Sequence, residues 1–222
     1  MPKFGPIKFR IFIGLLFLPY TGMCISFTII GSLLSPIVLW ERVIAISVIY
    51  ALALGLSAHA ADVLGSKTKP WGDYLNKRQL WSLTISGLAV AYTIGVYYII
   101  FYVPLLCIVA ILEGFFVFAY NLELFKGFFH NNFWFAVSWG VLPVLAGFIM
   151  QTNSIGFISI IVSLTAGLVS YIEIKTSRPY KELRRNGRDK NRMKKLETRL
   201  KTVSLGTIVF TTILVVFRLV AR

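Results

Sequence analysis

Long uncharged stretches alternate with short polar or basic ones along nearly the whole chain. A helix needs roughly 20 apolar residues to cross a hydrocarbon core about 30 Å thick, and the runs divide on that ruler. Residues 11–61 leave room for two helices, broken at Gly31 to Pro36, where Ser35 is placed to cap and Pro36 to take the first helical position. Leu80 to Asn121 holds two more, parting near Tyr102 to Pro104, and the uncharged stretch Asn132 to Ile172 another two around Gln151 to Gly156. A last run covers Thr202 to Ala221. The pattern predicts an all-α, polytopic membrane bundle of about seven transmembrane helices in one domain, 1–222, with spans near 11–31, 36–61, 80–101, 104–121, 133–150, 156–174 and 202–221. The basic segment 177–201 is the one long stretch outside them, expected to be helical after Pro179 and to break at Asn186-Gly187.

Composition agrees with that reading: 57% of residues are hydrophobic, 14% are charged and mean hydropathy is +0.75, far from a soluble domain. A net charge of +14 would suggest nucleic acid in a soluble protein, but its distribution here reads as topology, and no nucleic-acid partner is expected. Short cytoplasmic loops accumulate Lys and Arg. With the N-terminus inside, 20 of the 23 basic residues fall on the inner side and only Arg42, Arg218 and Arg222 outside. This predicts a multi-pass cell-membrane protein with a cytoplasmic N-terminus and an outer C-terminus. The first apolar run is about a full span long and has no small-residue cleavage site, so it reads as retained. Cys24 and Cys107 lie inside apolar runs, which indicates neither a disulfide scaffold nor a cysteine metal site.

Polar chemistry is confined to a few helix ends and one interior position. His59 and Asp62, at i and i+3, share a helix face where an apolar run ends. Glu113 lies well inside the fourth span, and an intramembrane carboxyl implies either a functional or an internally neutralised role. Tyr120, two helical turns on, shares its face, with Lys126 just past the helix end. Glu173, Lys175 and Arg178 open the basic segment, most of which reads as lipid-attracting charge, at roughly 1 kcal/mol per basic residue near the surface. The residues nearest the helix end are candidates for holding a diphosphate, Lys as a point charge and Arg as a fork of donors. His130, Asn131 and Asn132 read as an interfacial turn. No His/Cys metal spacing, nucleophile elbow or phosphate-cradling Gly loop is present, and the last span has no Lys to form a retinal Schiff base.

Several stretches resemble the UbiA superfamily of intramembrane prenyltransferases, over roughly residues 8 to 180. Arg10 followed by Pro19 and Gly22 is similar to the family's first helix. Tyr120 to Lys126, YNLELFK, and Trp139 to Gly147, WGVLPVLAG, resemble its fourth-helix exit and fifth helix. By order, Ala58 to Ser66 corresponds to the first Asp-rich motif and Glu173 to Ser177 to the second. The resemblance implies a helical bundle with a lipid-open cavity and a polar cap that binds an isoprenyl diphosphate against Mg2+ held by carboxylates. It implies Asp62 and Glu173 as metal ligands, Asp62 and His59 as catalytic, and Arg10, Glu113, Tyr120, Lys126, Lys175 and Arg178 around substrate.

The chain departs from the family pattern where the metal would sit. The first motif keeps Asp62 but has Ala58 and Ser66, and the second keeps only Glu173 beside Ser177. Family members also have about nine helices where seven are read here. The expected function is transfer of an isoprenyl group from its diphosphate to a lipid or aromatic acceptor. The alternative is a non-catalytic isoprenoid-binding membrane protein or a subunit of a membrane complex. A transporter is a weaker third reading, with Glu113 the one charge inside the spans and no inverted repeat in evidence.

Overall fold

A computed structural model describes residues 4–16, 18–66, 74–187 and 189–221. Helices α1 (Ile7–Leu16) and α2 (Leu18–Leu33) come first, then α3 (Trp40–Tyr50), a π-helical segment (Ala51–Ala58) and α4 (His59–Gly65) in one unbroken rod. Helices α5 (Lys77–Phe101) and α6 (Leu106–Asn121) come next. A second rod joins α7 (Asn132–Ala136), a π segment (Val137–Val141) and α8 (Leu142–Thr152), before α9 (Phe157–Asn186) and α10 (Lys190–Val220). Among the described residues there is no strand. Five helical stretches among the described residues are long and apolar enough to cross a membrane: Trp40–Gly65, Lys77–Phe101, Asn132–Thr152, Phe157–Asn186 and Lys190–Val220. Leu106–Asn121 is apolar but shorter. The protein is an all-helical membrane bundle.

One local expectation is corrected. Ser35 and Pro36 do not start a helix; Ser35 Oγ donates to Ile37 O at 2.6 Å and the helix begins at Trp40. Gln151 explains the delay, because its side chain accepts from Leu39 N at 2.8 Å and donates to Leu39 O at 3.2 Å. The basic segment 177–201 is helical after Pro179 and breaks at Asn186-Gly187, as expected. Helix α9 runs through Pro179 to Asn186 and stops where Gly187 takes the left-handed conformation, φ 63°, and α10 resumes at Lys190. Buried Glu173, Thr176 and Ser177 keep α9 packed on the bundle past the expected end of its span.

Helices α2 and α8 cross at the closest approach in the core. A Cβ on Gly31 would meet Val144 O, and one on Gly147 would meet Thr28 O, so neither position accepts a side chain without moving backbone. The approach lets Ser32 Oγ donate to Gly147 O at 3.2 Å. Small residues at such crossings are how membrane helices gain contact without a solvent-driven force. Met23, Phe27, Val144 and Ala166 pack beside this crossing, and a larger cluster of Tyr50, Leu54, Phe116, Trp139 and Ile149 fills the rest.

The bundle has two chemically different ends. At one, Arg42 Nη1 donates to Met150 O at 3.1 Å, Asn153 Oδ1 accepts from Leu105 N at 3.0 Å, and Arg218 Nη2 donates to Leu33 O and Ser35 O. At the other, the basic end, Gly65 packs against the Asn121 backbone, and Arg178 reaches His130 O at 3.4 Å. Helix α2 therefore starts at the basic end and α10 finishes at the opposite one.

Candidate functional site at the basic end

Three sequence-distant helices carry the polar residues of this end: α4 with His59 and Asp62, α6 with Tyr120, and α9 with Glu173, Ser177, Arg178 and Lys181. Both π segments bear on the arrangement. An extra residue in a helical turn rotates every side chain beyond it, and such insertions recur at functional sites. The first π segment ends at Ala58, immediately before His59. The second contains Ser138 and Trp139, and its Trp139 ring lies 5.2 Å from the His59 ring at an interplanar angle of 47°. Ser170 of α9 fixes this turn by donating to Trp139 O at 3.1 Å.

Tyr120 is the hub of the cluster. Its ring stacks on His130 at 4.6 Å, and His130 Nδ1 lies 3.0 Å from Tyr120 O. Arg178 makes a side-chain hydrogen bond with Tyr120 as well as reaching His130 O. Asp62 is within electrostatic range of Lys181, His130 and Glu123, and Lys181 also acts on His59. The cluster thus gathers the carboxyls of Asp62 and Glu123, the basic groups of Arg178 and Lys181, and the rings of Tyr120 and Trp139, the last stacked on Phe135 at 5.4 Å.

Glu173 stands in different surroundings. It is 1% exposed, its neighbour Tyr20 also faces Ser177, and its Oε2 is buried with no hydrogen-bond partner among the described residues. No three His, Cys, Asp or Glu side chains gather as a metal-ligand set among the described residues. The side chains that meet at Tyr120 are mostly cationic or aromatic.

Glu113 is buried in mid-helix, where Tyr50 Oη donates to its Oε1 at 3.0 Å and Ser138 Oγ to its Oε2 at 2.9 Å. Lys126 sits exposed in a short 3-10 turn, Phe125–Gly127, with φ 57°. Lys175 is exposed, its Nζ 5.8 Å from the Tyr171 ring centroid. Arg10 is half-buried on α1, which packs against α4. Lys67 and Lys69 lie outside the described residues.

Lys181, His130, Tyr20 and Trp139 do not stand out as site residues in the sequence. For Lys181 a signal exists: Ser170, Glu173 or Ile174, Ser177 and Lys181 succeed one another at helical spacing along α9. The run of charge around Lys181 conceals that face. His130 reads as part of a turn, and Asn131 beside it does cap α7, accepting from Phe133 N and Trp134 N. No family model, curated protein or solved structure matches this chain with significant similarity.

Proposed function

We propose that the chain is a UbiA-like membrane prenyltransferase that crosses the cell membrane seven times, N-terminus in the cytoplasm and C-terminus outside, and transfers an isoprenyl group from its diphosphate to a lipid or aromatic acceptor. The observation that carries the reading is the meeting of Asp62, Tyr120, His130, Arg178 and Lys181 at one end of an apolar bundle. An amphiphile with an anionic head and a long apolar tail matches that division. Arg178 offers a fork of donors and Lys181 a point charge to the diphosphate, with Asp62 within electrostatic range of Lys181.

In transfer, the bond from the allylic carbon to oxygen breaks, the electron pair leaves with the diphosphate, and the acceptor attacks the carbocation. The faces of Tyr120 and Trp139 suit a developing cation. Glu173 Oε2, with accepting capacity to spare, suits the acceptor's proton. Magnesium, where it takes part, arrives with the diphosphate rather than on a ligand set of the protein.

A second reading, a non-catalytic isoprenoid-binding protein or complex subunit, is favoured by the cations and imidazole around Asp62 where the family has further acids. One experiment separates the two. Purified protein in phosphatidylcholine nanodiscs is given radiolabelled geranylgeranyl diphosphate with a membrane lipid extract, and bound label, released diphosphate and prenylated product are measured. Saturable binding with product supports transfer, and binding without product supports the second reading. No saturable binding rejects both transfer and isoprenoid binding and leaves the complex subunit.

A further inference from the structure

Glu113 is not part of the basic end, and its surroundings form a second site. Helices α3, α5 and α6, with the first π segment, enclose an apolar pocket lined by Tyr50, Ala53, Tyr92, Gly95, Glu113 and Val117, among others. Its cavity volume is about 60 Å³. That is room for a hydroxyl group and the carbon that bears it, with the rest of the chain outside the mouth. Tyr92 bridges the two helices next to it, donating to Ala110 O at 2.7 Å across Gly114, where a Cβ would strike the Tyr92 hydroxyl.

We propose that this pocket is a lateral, intramembrane binding site for an uncharged lipid bearing a hydroxyl group, such as a long-chain or isoprenoid alcohol, with Glu113 accepting its hydrogen bond. The chemistry of the lining selects that class. Tyr50 and Ser138 each donate one hydrogen bond to Glu113, and each carboxyl oxygen has two lone pairs, so accepting capacity remains. The Tyr50 and Tyr92 hydroxyl hydrogens are already committed to Glu113 and Ala110. An alcohol brings one O–H for Glu113 to accept. An ammonium brings three N–H donors into a lining with a single carboxyl, and leaving them unmet in an apolar space is costly. A phosphorylated head would carry charge into a lining with no Lys, Arg or His among the described residues to meet it. An intramembrane carboxyl whose one approach is apolar and open to lipid is also what a ligand arriving from the bilayer requires. The site is independent of the proposed diphosphate site at the basic end.

The test is photolabelling of the full chain in phosphatidylcholine nanodiscs with a diazirine-bearing long-chain alcohol, with excess unlabelled alcohol, alkane or alkylamine as competitor. Label is expected on the α5 and α6 peptides around Tyr92 and Gly114, displaced by the alcohol and not by the other two. Gly95→Leu fills the pocket from a position where a Cβ has only Ile49 Cδ1 nearby, at 3.9 Å, and its melting temperature is measured alongside to check that the fold is kept. It should lower labelling at least about tenfold, which corresponds to 1.4 kcal/mol. Glu113→Leu should do the same, and Glu113→Gln should retain most of it. Undiminished labelling in Gly95→Leu, or displacement by alkane or amine as effective as by alcohol, would overturn the proposal.

Discussion

Arg218, near the end of the chain, donates from Nη2 to Leu33 O at 2.7 Å, and the same nitrogen reaches Ser35 O at 2.9 Å. The last turn of a helix leaves carbonyls without intrahelical partners, and here α10 supplies the donor that the end of α2 lacks. Arg42 does the same for Met150 O and Gln151 O at the end of α8, with its guanidinium 5.3 Å from the Tyr102 ring centroid. Arg42 and Arg218 therefore both have a structural task at this end. Arg218→Ala should lower stability by about 1–3 kcal/mol by leaving buried carbonyls unmet, and Arg218→Lys by less, as read by thermal unfolding in detergent. Equal stability of all three proteins would show that water already serves those carbonyls.

The crossing of α2 and α8 sets a second expectation. A side chain at Gly147 runs into the Thr28 carbonyl and must push two backbones apart. Gly147→Val should destabilise by at least about 1–3 kcal/mol and separate Ser32 from its acceptor. Gly206, where an added Cβ meets nothing within 4 Å, is the control. Gly206→Val should keep wild-type yield and melting temperature.

The carboxyl of Glu113 is held by residues 63 and 25 positions away in the chain. A double-mutant cycle of Tyr50→Phe and Ser138→Ala should show a loss of roughly 1 kcal/mol for each, the usual scale of hydrogen bonds between membrane helices. Glu113→Gln offers Tyr50 one acceptor and turns an N–H toward Ser138, whose hydroxyl can accept. It should therefore be tolerated better than Glu113→Leu. Indistinguishable melting of the two Glu113 variants would contradict the hydrogen-bonded role.

Orientation in the membrane can be read by labelling single cysteines in a background with Cys24 and Cys107 replaced. Ser154 is exposed at the end bearing Arg42 and Arg218, and Glu182 is exposed on the basic end of α9. With the basic end in the cytoplasm, Ser154→Cys should react with a membrane-impermeant maleimide on intact cells. Glu182→Cys should react only after permeabilisation. The reverse pattern would turn the protein over.

Much of this architecture is legible in the sequence because run length and charge placement act over whole helices. Helix ends near Phe101 and Leu106 and the turn at Gln151 to Gly156 arise where apolar runs are interrupted by residues that helices tolerate poorly. Other features depend on contacts across the bundle. The late start at Trp40 is set by Gln151, and the π segments at Ala51–Ala58 and Val137–Val141 come from packing rather than local pattern. His59, Asp62 and Tyr120 stand out by being polar at the ends of apolar runs. Lys181 does not, because one of many basic residues in a segment is told apart only by the helix face it occupies.

The central claim is that the anionic head of an isoprenoid is held by the basic groups gathered at Tyr120 rather than by a carboxylate-bound metal. It is tested most directly by the affinity of geranylgeranyl diphosphate for wild type and for Lys181→Gln with Arg178→Gln, each in magnesium and in EDTA. Hydrogen bonds to charged groups contribute about 1.5–3 kcal/mol, so the double substitution should weaken binding about tenfold or more in both buffers. Removal of magnesium from wild type should change affinity far less. Binding abolished by EDTA in wild type, with an affinity in magnesium that the two substitutions leave unchanged, would contradict it.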